Sequence, residues 1–172
     1  MLKKLLDNTK TGKFWFKLLR DLLILVIIVY LINLYQSRHI VTQAPILKEQ
    51  LLSGENIELR KKLKESPVII YFWATWCPVC RFTSNTITEL NLEYQVLSIA
   101  LDSGTNEQIS DYLSEHNYRF PVINDSDGQI SQQWGVFATP SILIIDQSGN
   151  ISSSLIGVSS KLGVKWRLFF AQ

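Results

Sequence analysis

The chain has few of the side chains from which metal centres are usually assembled: its 172 residues include two cysteines, two histidines and one methionine. A structural zinc site usually takes four Cys or His ligands. His39 and His116 lie far from the cysteines and lack ligand spacing, so they read as ordinary polar surface residues and no metal site is expected. An excess of charge of one sign is also missing, with 17 Lys and Arg against 15 Asp and Glu. The average hides two unlike parts. Six of the basic and two of the acidic residues fall in 1–35, a balance of +4, which leaves 11 basic and 13 acidic residues, or −2, for the rest. A mildly acidic domain lacks the clustered Lys and Arg that phosphate backbones require, which argues against nucleic acid as a partner. The short run Arg60-Lys61-Lys62-Lys64 reads as a solvated helix face. There are no internal repeats and no low-complexity tract.

What is present begins with a basic, then apolar, N-terminus. Leu22 to Tyr35 is apolar apart from Asn33, but as a helix it covers only about 21 Å. Extending back to Phe14 brings the length to about 33 Å, enough for a hydrocarbon core of roughly 30 Å. Lys17 and Arg20 can snorkel, Asp21 can pair with Lys17, and Phe14, Trp15 and Phe16 suit an interface. No small-x-small cleavage site comes after Tyr35, so an uncleaved anchor over 14–35 is favoured over a cleaved signal. Basic residues concentrate before it. The positive-inside rule therefore leaves residues 1–13 as a cytoplasmic tail and exports the chain beyond the anchor, to a compartment where disulfide chemistry is normal.

The two cysteines stand three apart in Trp73-Ala74-Thr75-Trp76-Cys77-Pro78-Val79-Cys80. A β-prone run, Val68 to Phe72, leads in, and a helix-compatible segment, Arg81 to Leu92, comes next. Helix spacing puts both sulfurs near one face, close enough for a disulfide. The first sulfur sits where unpaired N–H groups and the helix dipole favour a thiolate. A purely structural bridge is the competing reading, but a loop of so few residues stabilises little.

Around this motif, 36–50 reads as a linker and 51–172 as one domain. Leu51 to Ile57 suggests a hairpin or lead-in strand, and Leu59 to Glu65 a brief helix stopped by Ser66-Pro67. Strands are expected at 68–72, 94–101, 120–123 and 141–146, with helices at 105–116 and 130–134 and a turn over Asn124 to Gly128. Gln147 to Asn150 turns into a partner strand, 151–157. A closing helix, 159–170, has Leu162, Trp166, Phe169 and Phe170 to dock on the sheet. The alternation implies an α/β sandwich with a mixed sheet.

Phe72 to Cys80 (FWATWCPVC), with Thr139-Pro140 much later and just before a strand, resembles the thioredoxin superfamily, and within it the bacterial membrane-anchored members of the cytochrome-maturation and suppressor-of-copper-sensitivity types. The resemblance covers about 50–172. It implies a thioredoxin-like three-layer sandwich preceded by one transmembrane helix, with room between Cys80 and Pro140 for the β-α insertion of the anchored branch. It further implies that Cys77 is the nucleophile, Cys80 the resolving cysteine and Pro140 a cis-proline facing the disulfide. Thr139 would dock an extended substrate, Trp76 would lie beside the active-site helix, and Trp73 would belong to the core beneath. Three positions depart from the pattern. Tyr71 stands where thioredoxin keeps a buried Asp, Thr83 where the cytochrome-maturation type often has Glu, and Asn85 where many relatives have Pro. The first two remove carboxylates that would relay a proton to Cys80, a task left to water, Thr83 or the substrate.

The expected function is a membrane-tethered thiol–disulfide oxidoreductase with no cofactor beyond its own cysteines. It would act as a reductant on exported proteins at the outer side of the inner membrane and be recycled by a membrane electron donor or acceptor. The alternative is a Cu(I) chaperone using the same pair, since two thiolates suit a soft ion, although no Met-rich or His-rich tract accompanies them.

Overall fold

The computed structural model describes residues 15–28, 30–31 and 40–171. The expected tail 1–13, residues 14, 29 and 32–35 of the expected anchor, and His39 lie outside the described residues. The chain divides into two compact units at residues 35 and 36. In the first, 15–28 and 30–31 are helical, with Leu22, Leu23, Leu25 and Val26 among the exposed apolar side chains. No helix among the described residues is long and apolar enough to cross a membrane. Asp21 takes the adjacent Arg20 as its partner (Nη2–Oδ1 2.8 Å), not Lys17, because the forked guanidinium also reaches the same oxygen through Nε at 3.0 Å.

The second unit has a thioredoxin-like α/β fold. Its elements, in order, are β1 (Lys48–Gln50), β2 (Asn56–Glu58), α1 (Leu59–Lys62), β3 (Val68–Trp73), α2 (Cys80–Leu90), β4 (Gln95–Leu101), α3 (Asn106–Glu115), β5 (Val122–Asp125), α4 (Gln129–Gln133), β6 (Ser141–Ile145), β7 (Ile151–Ile156) and α5 (Lys161–Phe170). β1 and β2 form an antiparallel hairpin, and the main sheet runs β5-β4-β3-β6-β7. β3, β4 and β5 are parallel, whereas β6 runs antiparallel to β3 and β7 antiparallel to β6.

β3 is central and buried at all six positions, as its unbroken apolar sequence VIIYFW requires of a strand covered on both faces. Its odd-numbered residues Ile69, Tyr71 and Trp73 pack with Ile87 and Leu90 of α2, Ile109 of α3, and Val164 and Leu168 of α5. Its even-numbered residues Val68, Ile70 and Phe72 pack with Ile57, Leu59 and Leu63 from the hairpin and α1, and with Trp134 at the end of α4. These are the three layers that were expected. α3 is held by a capping box: the Thr105 hydroxyl accepts from Gln108 N, and the Gln108 side chain accepts from Thr105 N.

Three local expectations are corrected. Residues 40–50 are bound into the domain, not set apart as a linker. Ala44 N donates to Gly149 O and Ile151 N to Thr42 O, both at 2.9 Å, and Leu47 is buried, so this stretch closes the exposed hydrogen-bonding groups of the turn before β7. Asn124 and Asp125 belong to β5, not to a turn. The buried Asp125 carboxylate accepts from Ile130 N (3.0 Å), Ser131 N (2.8 Å) and Ser131 Oγ (2.7 Å), capping the start of α4 where the helix dipole favours an anion. α5 docks through Val164 and Leu168, while Leu162, Trp166, Phe169 and Phe170 face outward. Val164 and Leu168 enter the core beside Ile87 and Leu90, and Lys161 and Lys165 then pair at the surface with Glu89 (3.0 Å) and Glu93 (2.5 Å).

Candidate active site

The strand-to-helix junction after β3 holds the motif. Cys77 N donates to Ala74 O (3.3 Å) in a turn, and α2 then begins at Cys80. Cys77 and Cys80 are joined as a disulfide with their Cα atoms 5.4 Å apart. Cys80 N–H, at the head of α2, points at Cys77 Sγ from 3.2 Å. The two sulfur residues differ in access: Cys77 retains 5% exposure and Cys80 1%. Cys77 is thus less open than the sequence implied, yet it is the member of the pair that solvent reaches.

The second motif arrives from β6. The register places Phe72 opposite Ser141, so the residues leading into β6 lie against the residues leaving β3. Thr139-Pro140 is a cis peptide, Pro140 is buried, and Thr139 O lies 3.7 Å from Cys77 Sγ. Ser141 Oγ donates to Ala138 O at 2.7 Å and pins this loop. The structure therefore brings Cys77, Cys80, Thr139 and Pro140 together.

Trp76 stands beside them, 60% exposed, its indole N–H donating to Asp102 O at 2.8 Å. Asp102 comes just after β4 and has φ 42°, a left-handed backbone that Asp tolerates better than most residues. The same loop holds Thr75, whose N–H donates to Ser103 Oγ at 3.0 Å, and Ser103 Oγ in turn donates to Leu101 O at 2.9 Å. Asp102 and Ser103 were not foreseen as part of the site. Their position just past the C-terminal end of a parallel strand, where α/β sites are built, was the available signal. Val79, Phe82 and Phe137 are exposed apolar residues on the loops and first helical turn that carry the two motifs.

Beneath α2 the missing carboxylates are replaced by hydroxyls. Tyr71 OH donates to Cys80 O (3.2 Å) and lies 3.0 Å from Ser84 Oγ. Tyr118 OH donates to Arg81 O at 3.3 Å. Burial pushes the Tyr71 phenol well above its ordinary pKa, the Ser84 hydrogen bond opposing only in part, so the group stays neutral where a buried Asp would titrate. The Ser84 contact, too, was not foreseen from the sequence. Thr83 is fully buried and its hydroxyl has no hydrogen-bond partner. Trp73, as expected, lies in the core, where its Nε1–H donates to Ser98 Oγ at 3.2 Å.

Among the described residues, no group of three or more His, Cys, Asp or Glu side chains converges to hold a metal ion. His116 is half-buried and stacked on Tyr112 (4.2 Å between centroids), a packed aromatic position and not an open surface site.

Residues 40–154 match the family model described as AhpC/TSA family. A thioredoxin-like protein of Haemophilus influenzae is 37% identical over 136 residues, covering 74% of this chain and 81% of that protein. A thiol-disulfide oxidoreductase ResA of Bacillus thuringiensis is 32% identical over 123 residues, covering 69% of this chain and 70% of that protein. Among solved structures, a thiol:disulfide interchange protein of the thioredoxin family from Chlorobium tepidum superposes with a TM-score of 0.61 at 23% identity, covering 76% of this chain and 95% of that one.

Proposed function

The chain belongs to the AhpC/TSA thioredoxin-like family, and from that premise we propose that it is a membrane-tethered thiol–disulfide oxidoreductase that reduces disulfides in exported proteins. The observation that carries the reading is the placement of Cys77 Sγ between the N–H at the head of α2 (3.2 Å) and Thr139 O beside the cis-proline (3.7 Å). The first contact stabilises a thiolate on Cys77. The second puts a backbone acceptor where an extended substrate strand can lie against the attacking sulfur.

In the reducing direction the Cys77 thiolate attacks a substrate disulfide, forming a mixed disulfide and releasing one substrate thiolate. Cys80 then attacks the Cys77 sulfur, forming the Cys77–Cys80 disulfide and releasing the second substrate thiolate. Two electrons pass from the pair to the substrate; Cys80 gives up its proton as it attacks, one released thiolate takes up that proton, and the other takes one from water. Thr83, one turn after Cys80, offers a buried hydroxyl near the path of the Cys80 proton. Trp76 and Thr139 frame the substrate. A membrane electron donor returns the pair to the dithiol state.

The tether is residues 14–35, with 1–13 in the cytoplasm and the catalytic domain on the outer side of the inner membrane. Supporting it are the six basic residues of 1–35 and the exposed apolar side chains of the helical residues 22–28. The Cu(I) alternative rests on the two sulfurs alone.

The test is turnover of a model disulfide such as insulin by the full chain. Cys77→Ser abolishes it, and Cys80→Ser accumulates a covalent mixed disulfide visible on non-reducing gels. Full activity in Cys77→Ser would end the reading.

A further inference from the structure

The end of the domain opposite the disulfide carries three features that the redox chemistry does not use. The first is the outward stripe of α5. Leu162 (79% exposed), Trp166 (66%), Phe169 (69%) and Phe170 (65%) share one face, with Phe170 stacked edge-on against both Trp166 (5.2 Å) and Phe169 (5.4 Å). Val164 and Leu168 on the opposite face are buried in the core, so α5 carries a second apolar stripe beyond the one that packs, a pattern that calls for cover on its outer side.

The second feature is where this stripe sits. β3 begins at Val68, which pairs with Ile145 at the end of β6, and both lie at the sheet end remote from Cys77. Leu168 lines a groove with Ser66, Pro67 and Tyr94, which lead into β3 and β4, and with Gln95, which begins β4. The last turn of α5 is thus at the remote end. The chain reaches the domain at that end as well: Gln43 bridges Asn150 and Ala44 N donates to Gly149 O, in the turn between β6 and β7. Only the eight residues 32–39 separate the helical Leu31 from Ile40, which packs on the domain. Whatever their conformation, they span at most about 30 Å.

The third feature is charge. Arg60 and Lys64 line a groove with Gln147, Ser148 and Gly149 at this same end. The α5 sequence KLGVKWRLFF contains Lys161, Lys165 and Arg167 and no acidic residue. Glu89 and Glu93 engage Lys161 and Lys165, and Glu65 and Asp146 stand at the same end, so the surplus is small and rests on Arg60, Lys64 and Arg167. Aromatic rings flanked by Lys and Arg are the composition that settles at the headgroup level of an anionic bilayer.

We propose that this remote end is a lipid-docking face: Trp166, Phe169 and Phe170 enter the headgroup region of the bilayer that holds the anchor, while Arg60 and Lys64 meet anionic headgroups. The docked domain then presents Cys77, Thr139 and Trp76 away from the membrane, toward soluble substrates. The inference rests on the anchored reading of residues 14–35.

It is tested with the full chain in nanodiscs of phosphatidylcholine and phosphatidylglycerol, in a Cys77→Ser, Cys80→Ser background. A nitroxide is placed at Phe169→Cys or, as a control on the disulfide side, at Phe82→Cys. Collision rates with lipid-soluble oxygen and with a water-soluble nickel chelate are compared. The expected result is an oxygen-to-nickel ratio severalfold higher at 169 than at 82, falling when phosphatidylcholine is the only lipid. Equal ratios in a chain that co-purifies with the nanodisc would overturn the docking face and leave the anchor standing. A chain that does not associate with the bilayer removes both. Spin–spin broadening at 169 that persists without lipid would show a second copy covering the stripe, and that also overturns the proposal.

Discussion

The two faces of β3 are built from the same six-residue strand and do different work. The even face, Val68, Ile70 and Phe72, meets Leu97, Ile99, Leu143, Ile145 and the ring of Trp134, whose centroid is 5.9 Å from that of Phe72. It is hydrocarbon except for one indole, and its contribution is burial. The odd face is threaded with polar contacts. Tyr71 and Tyr118 hold the carbonyls of Cys80 and Arg81, and Trp73 is tied through Ser98 Oγ to Pro121 O. Both faces exclude water, but only the odd face fixes the position of the first turn of α2, and with it the resolving sulfur. A single strand thus separates stability from chemistry by side-chain parity alone.

Substitutions can break that comparison at either face. The largest stability effect is expected from Phe72→Ala on the even face, a loss of about 3–5 kcal/mol from a filled core, read by urea unfolding. The exchange rate of the folded fraction should be unchanged, and a slowed resolving step in this variant would refute the division of labour.

Tyr71→Phe on the odd face leaves Cys80 O and Ser84 Oγ without this partner, at a cost of about 1–3 kcal/mol. The distinguishing readout is kinetic: the mixed disulfide on Cys77 should persist longer, because Cys80 is no longer held by its carbonyl. An unchanged lifetime would reduce Tyr71 to packing.

Alkali sharpens the same contrast. The folded state holds the Tyr71 proton more tightly than the unfolded chain, whose phenol titrates near its ordinary value of 10.0. That stabilisation is complete below about pH 10 and is lost as pH rises beyond it. The stability gap between wild type and Tyr71→Phe should therefore narrow above pH 10 in denaturant titrations monitored by circular dichroism. Ser98→Ala is the mildest change, about 1 kcal/mol for the lost link between Trp73 and Pro121, with no effect on either exchange step.

Much of this was legible in the sequence because the signals were local. The continuous run VIIYFW marks a fully buried strand, and the cysteine spacing at its end marks a redox turn; both stand where expected. What the sequence concealed was set by distant partners. α5 offers two apolar stripes, and the fit of Val164 and Leu168 against Ile87 and Leu90 of α2 selects between them. Asp125 has the composition of a turn, but it ends a strand because the N–H groups of Ile130 and Ser131 need its carboxylate. Residues 42–44 lack periodicity because their hydrogen bonds go to a turn a hundred positions away, while 48–50 pair with the neighbouring β2. Tyr71 could be seen to replace an acid, but its grip on Cys80 O required the helix to be in place.

The tie between Trp76 and the main-chain oxygen of Asp102 bears on mutational drift. The acceptor belongs to the backbone, so no exchange of the side chain at position 102 deletes it, provided the new residue tolerates the left-handed turn, as Gly and Asn do. The orientation of the indole is consequently inherited through the path of the chain, and lineages can vary the charge beside the disulfide without loosening the ring that guards it.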